Sequence, residues 1–208
     1  MKTYEAINLE QPESETDPFT EDRYRQFHRF LPAGTNKVLD IGCNTGRGGA
    51  VLKAINPGLH IAGLDVVRER LDRLPSQAYS DRILGSCTDI PGPDDQFDAI
   101  VAGEFIEHLY GVDVDKSLYE MFRVLRLGGR VLMTTPNPGD WKRRARGRSV
   151  LGGAHLSQHH PGPFALKLKM CGFSNVRLLG SGKVSRYLGS RFPLLNVYGS
   201  YLVMGDKF

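Results

Sequence analysis

The feature that most constrains this chain is an apolar run followed directly by a glycine-rich turn, VLDIGCNTGRGG, at 38–49. The first four residues indicate a short buried strand, and residues 50–54 are typical of a helix. Glycines between a strand and a helix N-terminus let backbone N–H groups approach a ligand closely, because no Cβ stands in the way. The order D-x-G-x-N-x-G differs from the dinucleotide fingerprint, and Asn44 tolerates a left-handed backbone. The stretch predicts a nucleotide-binding turn; an ordinary strand-to-helix turn is the alternative.

Strand-like and helical segments alternate along the rest of the chain. Strands are predicted at 38–41, 60–64, 82–85, 97–102, 130–135, 175–179 and 200–204. Helices are predicted at 19–31, 50–54, 67–74, around 118–125 with a cap at Gly128-Gly129, and around 164–171. Such alternation predicts an α/β fold, a Rossmann-like doubly wound sheet with right-handed crossovers.

Size and charge are typical of a single globular domain. The chain has 208 residues, 40% of them apolar, and its formal net charge of +4 allows anionic partners without requiring them. Cys43, Cys87 and Cys171 show neither pairing nor zinc spacing, which favours reduced thiols. We find no secretory signal or membrane-spanning run, so we expect a cytoplasmic protein with one domain at 19–208 behind a loose polar leader at 1–18.

Five motifs in order resemble those of the class I S-adenosylmethionine-dependent methyltransferases, especially the compact type 11 group. The first two of that family are similar to VLDIGCNTG at 38–46 and GLDVV at 63–67. The later ones are similar to GSCTDIP at 85–91, FDAIVAGEFIEHL at 97–109 and VLRLGGRVLMTTPN at 124–137, where Leu127 replaces a common proline. The resemblance covers about residues 36–135 closely and implies one antiparallel strand near the C-terminus.

The resemblance implies S-adenosylmethionine as the cofactor, bound around the glycine turn. Asp65 lies 25 positions after Asp40, at the end of the next predicted strand, and is expected to accept the ribose hydroxyls. The positions that match the methionine part are Asp40, Gly42 and Gly46, with backbone contact from Cys43. The remaining expected contacts lie around the adenine and beside the sulfonium: Thr88, Asp89 and Ile90, and then Ala102 and Gly103.

An E-x-x-E-H pattern follows the fourth predicted strand and is the candidate catalytic cluster. Glu104, Glu107 and His108 are spaced i, i+3 and i+4, which on a helix places them on one face. This face could supply a general base, with His108 in that role, or hold a divalent ion. The pattern resembles that of ubiquinone-pathway O-methyltransferases and of small-RNA terminal 2′-O-methyltransferases. A structural helix start is the alternative, and a metal site would be completed by one of three histidines: His155, His159 or His160.

A run of five cations without an acid, WKRRARGR, stands at 141–148 and is interpreted as a solvated loop or as a docking site for an anionic partner. The arginines of the helix at 19–31 are likewise interpreted as a solvated face. The predicted reaction is O-methylation of a small molecule, a lipid intermediate or a saccharide. An RNA 3′-terminal 2′-O-methyltransferase is the alternative with a nucleic-acid partner. A non-catalytic S-adenosylmethionine-binding protein is the alternative of another class.

Overall fold

The sheet predicted by the alternating pattern is the centre of the protein. The structure is a computed structural model that describes residues 3–9 and 16–208. Within these residues one sheet contains seven strands: β1 (Lys37–Ile41), β2 (His60–Asp65), β3 (Asp81–Leu84), β4 (Phe97–Gly103), β5 (Leu125–Pro136), β6 (Ser174–Ser181) and β7 (Ser200–Asp206). Their spatial order is β3-β2-β1-β4-β5-β7-β6.

The direction of each strand confirms the predicted fold class. The neighbours β3, β2, β1, β4 and β5 pair in parallel. β7 pairs antiparallel with both β5 and β6, so a single antiparallel strand lies near the C-terminus. Because all the parallel strands end at one edge, the loops that follow them converge there, and this edge carries the candidate site.

Helices cover both faces of the sheet. The described residues form eight α-helices: α1 (Tyr4–Leu9), α2 (Thr20–Phe30), α3 (Arg47–Ile55), α4 (Arg68–Asp72), α5 (Gly111–Val124), α6 (Trp141–Ala145), α7 (Pro161–Met170) and α8 (Ser185–Leu188). Two 3-10 turns are also present, Ile106–His108 and Leu195–Val197. Across the described ranges, every helix falls short of the length and apolar character needed to cross a membrane.

Alternating side chains of the central strands fill two apolar layers, one on each face of the sheet. In β4, Ile100 packs with α5 and α7 residues on one face, whereas Val101 packs with α2 and α4 residues on the other. This period of two is the strand geometry, and burial of both faces explains why the buried positions of β1, β2 and β4 are apolar or glycine except for one aspartate in each strand.

The prediction that Gly128-Gly129 cap the helix around 118–125, which is α5 in the structure, is wrong. α5 ends at Val124, and Leu125 is already extended as the first residue of β5. Gly128 has a φ of 77°, and its N–H donates to the carbonyl of Lys207 at 2.7 Å. Gly128 and Gly129 therefore pair with Lys207, the residue after β7, instead of capping a helix. The Gly128 N–H and the Gly129 C=O are satisfied by this pairing.

Part of the segment predicted as a loose leader is ordered. Residues 1, 2 and 10–15 lie outside the described residues, but α1 packs onto the body of the protein. Ile7 is buried, the Tyr4 hydroxyl donates to Asp113, and the Arg70 guanidinium donates to the Asn8 carbonyl. These long-range contacts give α1 a stability that its six residues alone would not have.

A buried carboxylate joins the glycine turn to two helical layers. Asp40, near the end of β1, is completely buried and accepts hydrogen bonds from the hydroxyls of Tyr24 at 2.6 Å and Tyr79 at 2.5 Å. Cβ atoms at Gly48 and Gly49 would lie 2.1 and 2.3 Å from the Tyr24 and Tyr79 rings. Only glycine at these positions of α3 leaves room for both tyrosines to reach the carboxylate.

We predict that Tyr24→Phe and Tyr79→Phe each lower the free energy of unfolding by about 1.5–3 kcal/mol, because each leaves a buried carboxylate oxygen without its donor. Urea denaturation measures this directly. The control is Tyr187→Phe, which alters a side chain that is 77% exposed and should change stability by less than about 0.5 kcal/mol. Equal stability of Tyr24→Phe and the control would refute this role of Asp40.

Candidate functional site

A cavity of about 310 Å³ opens at the carboxyl ends of the parallel strands. The turn after β1, the end of β2 and the end of β4 form its floor, and residues of α1 and of the start of α2 cover it. Ligands of open α/β sheets bind at this edge. The lining residues from the three strand ends include Gly42, Cys43, Asn44, Asp65, Gly103, Glu104 and His108.

The turn after β1 offers the cavity an unpaired polar atom. Asn44 has a φ of 50°, which agrees with the left-handed conformation predicted for it. Its Oδ1 is buried without a hydrogen-bond partner. Gly42 has a φ of 66°, and a Cβ there would lie 2.5 Å from the Phe105 ring. A buried acceptor without a donor is costly in a native protein, so its presence here favours a ligand that donates to it.

Asp65 ends β2 at the wall of the cavity and is held from behind. Its two carboxylate oxygens accept backbone N–H groups of Asn44 at 3.1 Å and Val67 at 3.0 Å. Burial raises the pKa of this carboxyl above its ordinary value. Because each oxygen has a second lone pair, the oriented carboxylate can still accept hydroxyl groups from a ligand.

Four of the ten residues predicted to bind the cofactor line the cavity, namely Gly42, Cys43, Asp65 and Gly103. The other six do not: Asp40, Gly46, Thr88, Asp89, Ile90 and Ala102.

Each of these six has another structural position. The Asp40 carboxylate faces the two tyrosines, Gly46 precedes α3 and packs against apolar side chains, and Ala102 is buried within β4. A tight turn between Ser86 and Asp89 leaves Asp89 exposed, while Ile90 is buried in the core. Ser86 and Cys87, just before the turn, line the cavity in their place.

Sequence reasoning missed the contribution of α2 to the site. Arg23, which we interpreted as part of a solvated face, is buried and lines the cavity together with Tyr24. Its guanidinium forms a salt bridge with Asp17 at 2.5 Å and lies 3.5 Å from Glu104, and its Nε has no hydrogen-bond partner. The only sequence signal was an arginine directly beside an apolar position of an amphipathic helix, which does not distinguish a buried cation from an exposed one.

Glu104 and Glu107 do not share a regular helical face as predicted. Glu104 precedes the 3-10 turn with a φ of 50°, and its Oε2 accepts a hydrogen bond from the Ser200 hydroxyl at 3.3 Å. Glu107 is completely buried and accepts a hydrogen bond from Thr135 at 3.0 Å, while its Oε1 has no partner. Burial, reinforced by the charge of Glu104, holds the pKa of Glu107 well above its ordinary value.

His108 lines the cavity as a neutral imidazole. Its Nδ1 lies 3.2 Å from the Ala154 carbonyl, and a carbonyl can only accept, so Nδ1 carries the proton and Nε2 keeps its lone pair. Burial, with a smaller contribution from His155, lowers the pKa of His108 to about 4. The imidazole is therefore available as a base throughout the neutral range.

Of the three histidines in the 155–160 segment, His155 joins this cluster. Its ring centroid is 5.0 Å from that of His108, and its Nδ1 lies 3.0 Å from the Val150 carbonyl, which leaves its Nε2 free as well. One ligand atom each from Glu107, His108 and His155 lie within 4.8 Å of one another. His159 instead bonds Ser157, and His160 is exposed at the start of α7.

Comparisons with known proteins match this chain to methyltransferases. A family described as "Methyltransferase domain" matches residues 39–133. "Methyltransferase GfsG" of Streptomyces halstedii is 36% identical over 129 residues, which make up 57% of this chain and 45% of that protein. The "Ubiquinone/menaquinone biosynthesis C-methyltransferase UbiE" of Geotalea daltonii is 33% identical over 113 residues, 50% of this chain and 46% of its own. The chain thus spans about half the length of the curated relatives it matches.

The fold also recurs among solved structures. A SAM-dependent methyltransferase from Archaeoglobus fulgidus superimposes with a TM-score of 0.70 and 18% sequence identity, and the match covers 90% of this chain and 92% of that one. At this identity the likeness bears on the fold alone.

We predict that the His108 ring titrates near pH 4 and holds its proton on Nδ1 above that pH. Because the folded pKa is lower than the unfolded value of about 6.5, protonation of the unfolded chain removes native stability as the pH falls from 6.5 towards 4. Nitrogen-15 NMR of the ring, assigned with His108→Gln, reports both the tautomer and the midpoint. A midpoint near 6.5 would contradict the buried neutral imidazole.

Proposed function

We propose that the chain is a class I S-adenosylmethionine-dependent methyltransferase of the type 11 group and that it transfers the methyl group of that cofactor to a hydroxyl oxygen of an acceptor; the matching domain family and the methyltransferase relatives support this assignment. The acceptor class is a small molecule, a lipid intermediate or a saccharide. One observation carries the choice of oxygen: His108, at the cavity wall, is neutral and presents an unprotonated Nε2. An oxygen nucleophile needs such a group, because its proton must leave as the methyl arrives.

We propose that the cavity holds the cofactor with its ribose at Asp65. The Asp65 carboxylate is fixed by two backbone donors and keeps lone pairs for both ribose hydroxyls. The Arg23 Nε, which lies 3.5 Å from a Glu104 oxygen and makes no hydrogen bond, and the unpaired Asn44 Oδ1 match the carboxylate and the amino group of the methionine part. A buried acceptor and a buried cation at the cavity wall support a ligand that carries both charges at that end.

The bound cofactor supplies an activated methyl group on a sulfonium. The protein positions the acceptor oxygen in line with the methyl carbon and sulfur. Held by Asp65, Arg23 and Asn44, the cofactor would supply the methyl group as an electrophile and would leave as its neutral demethylated thioether. His108 Nε2 takes the hydroxyl proton, and the Ala154 carbonyl, bonded to Nδ1–H, steadies the imidazolium that results.

We expect Asp65→Ala to weaken the binding of both S-adenosylmethionine and its demethylated product by about 2–3 kcal/mol, since the ribose loses charge-assisted hydrogen bonds. Isothermal titration calorimetry gives both affinities, and Asp65→Asn tests whether the shape alone suffices. The matched control is Asp89→Ala, at an exposed carboxylate outside the cavity lining, which should change either affinity by less than threefold. If Asp65→Ala and Asp89→Ala lost equal cofactor affinity, residues 88–90 would also contact the adenine, as the family resemblance implies.

As an alternative to proton removal by His108, we propose a second version in which Glu107, His108 and His155 hold a divalent ion, and the His108 Nε2 lone pair binds that ion. Both histidines direct Nδ1–H to backbone carbonyls, an arrangement common behind metal-binding imidazoles, and the Oε1 of Glu107 has no other partner. Two imidazoles and a carboxylate suit manganese, iron or zinc better than calcium. Such an ion would lower the pKa of an acceptor hydroxyl near it. Glu104 faces Arg23 and Ser200 rather than this cluster, so we leave it out of the ligand set.

His108→Ala should reduce turnover at least about a hundredfold in either version, while cofactor affinity stays within about threefold. His155→Ala separates the two versions, because it removes a ligand of the ion but not the base. If an ion is used, chelation abolishes turnover, added manganese or zinc restores it, and His155→Ala lowers manganese affinity measured by electron paramagnetic resonance. Unchanged turnover in His108→Ala would remove this cluster from the mechanism.

The identity of the acceptor can be tested by incorporation of labelled methyl groups. The protein is incubated with labelled cofactor and with separate metabolite, lipid and total RNA extracts, and alkaline and acid stability of the product distinguish oxygen from carbon attachment. We expect labelled oxygen in a metabolite or lipid fraction. Label in RNA alone would support terminal 2′-O-methylation, and label on carbon would match the reaction in the name of the UbiE relative. Cofactor binding without label in any fraction would favour the non-catalytic alternative.

A further inference from the structure

The charges of this chain are distributed very unevenly. Residues 141–205 contain eleven of its 27 Lys and Arg residues and none of its 23 Asp and Glu residues. The remaining residues therefore carry an excess of negative charge, which the small overall value of +4 conceals. Electrostatic attraction to an anionic partner depends on this local field rather than on the net charge.

Two surface segments within this region combine cations with exposed apolar side chains. We call residues 141–151 and 183–194 together the basic apolar face. Six of the fourteen large apolar side chains that are exposed in the described residues belong to it: Trp141, Leu151, Tyr187, Leu188, Phe192 and Leu194. Single exposed apolar residues are ordinary, but such a concentration on two short segments marks an interaction surface.

The two segments lie side by side at the edge of the sheet that carries the cavity. The first follows the end of β5, and the second joins β6 to β7, at the level where Pro136 pairs with Ser200 and Ser200 with Ser181. The Asn137 amide, four residues before the first segment, donates to the carbonyls of Leu195 at 2.8 Å and Tyr198 at 3.1 Å, just after the second segment. These hydrogen bonds hold the chain close to both segments at the same edge of the sheet.

The cations of the first segment are free to meet a partner. Throughout 3–9 and 16–208, no acidic side chain forms an ion pair with Arg144, Arg146 or Arg148, and all three are exposed. In the second segment Arg186 pairs with Asp22 and anchors α8, whereas Lys183 and Arg191 remain exposed. Within the described residues, six exposed cations of the two segments, Lys142, Arg144, Arg146, Arg148, Lys183 and Arg191, thus lie beside exposed apolar side chains and form no ion pair with an acidic side chain.

We propose that the basic apolar face docks the protein on the surface of an anionic phospholipid bilayer. Clustered cations are attracted to anionic headgroups, while tryptophan, tyrosine and leucine side chains enter the boundary between headgroups and acyl chains. Trp141, Tyr187 and Phe192 would suit either a bilayer or nucleic acid, but the exposed Leu151, Leu188 and Leu194 favour a bilayer, because aliphatic side chains offer bases no surface for stacking. This inference goes beyond the proposed methyl transfer, since docking needs neither cofactor nor acceptor.

The test measures binding of the full chain to vesicles without cofactor. Trp141 is the only tryptophan, so its fluorescence reports directly on the basic apolar face. We expect binding to vesicles with 30% phosphatidylglycerol, little binding to pure phosphatidylcholine, and weakening in 0.5 M NaCl. On anionic vesicles the Trp141 emission should shift to the blue and be quenched by brominated acyl chains.

Two sets of variants separate this face from net charge. The triple variant Arg144→Gln, Arg146→Gln and Arg148→Gln should weaken binding to anionic vesicles at least tenfold. Its matched control, Arg29→Gln, Lys37→Gln and Lys169→Gln, removes the same charge from exposed residues near the other edge of the sheet and should stay within twofold. Leu188→Ala with Leu194→Ala should weaken binding without altering the charge.

Four results would overturn the proposal, and the first three concern the vesicle experiments. They are absence of binding to anionic vesicles, equal losses in the two triple variants, and binding that leaves Trp141 emission unchanged. The fourth is a competition result. If single-stranded RNA releases the protein from anionic vesicles at a lower concentration than added phosphatidylglycerol vesicles do, the face binds nucleic acid instead. Retained methyl transfer to a water-soluble acceptor in the first triple variant would keep the enzyme proposal intact whichever result is obtained.

Discussion

The buried Asp40 carboxylate and its two tyrosine hydroxyls hold together the part of the molecule that forms the cavity. Tyr24 comes from α2 and Tyr79 from the loop before β3, so one carboxylate connects three regions distant in sequence. Burial raises the pKa of Asp40 to about 6, which means that the two donors only partly offset its lost hydration. This arrangement requires glycine at positions 48 and 49, because larger residues would push the tyrosine rings away from Asp40.

Docking of α2 through Tyr24 also places a cation at the site. Arg23 precedes Tyr24 and is thereby turned into the cavity, where it faces Asp17 and Glu104. Asp40, the acidic residue of the first motif, thus acts indirectly, because it fixes the helix in which Arg23 lines the cavity. This explains how a residue that resembles a ligand-binding position can be fully buried and still matter to the site.

The long segment after β5 packs on the 3-10 turn that carries His108. Its backbone returns over the 3-10 turn, where Leu156 and Ser157 donate to the Glu107 carbonyl and the Ala154 carbonyl meets His108. The same segment carries His155 towards the cluster and Trp141 to the surface. One segment therefore supplies the carbonyl that faces His108 Nδ1 and also carries the exposed cations.

The sequence by itself determined the fold class and the position of the cavity, because alternating apolar runs require a parallel sheet and the glycine turn must follow its first strand. It also identified Asp65, Gly42 and His108, which lie at strand ends where direction follows from chain order. Only the tertiary structure decided that Asp40 faces tyrosines, that Arg23 is buried, and that His155 rather than His159 or His160 joins Glu107. These depend on contacts between residues far apart in the chain, and local pattern carries no information about which long-range partner a side chain meets.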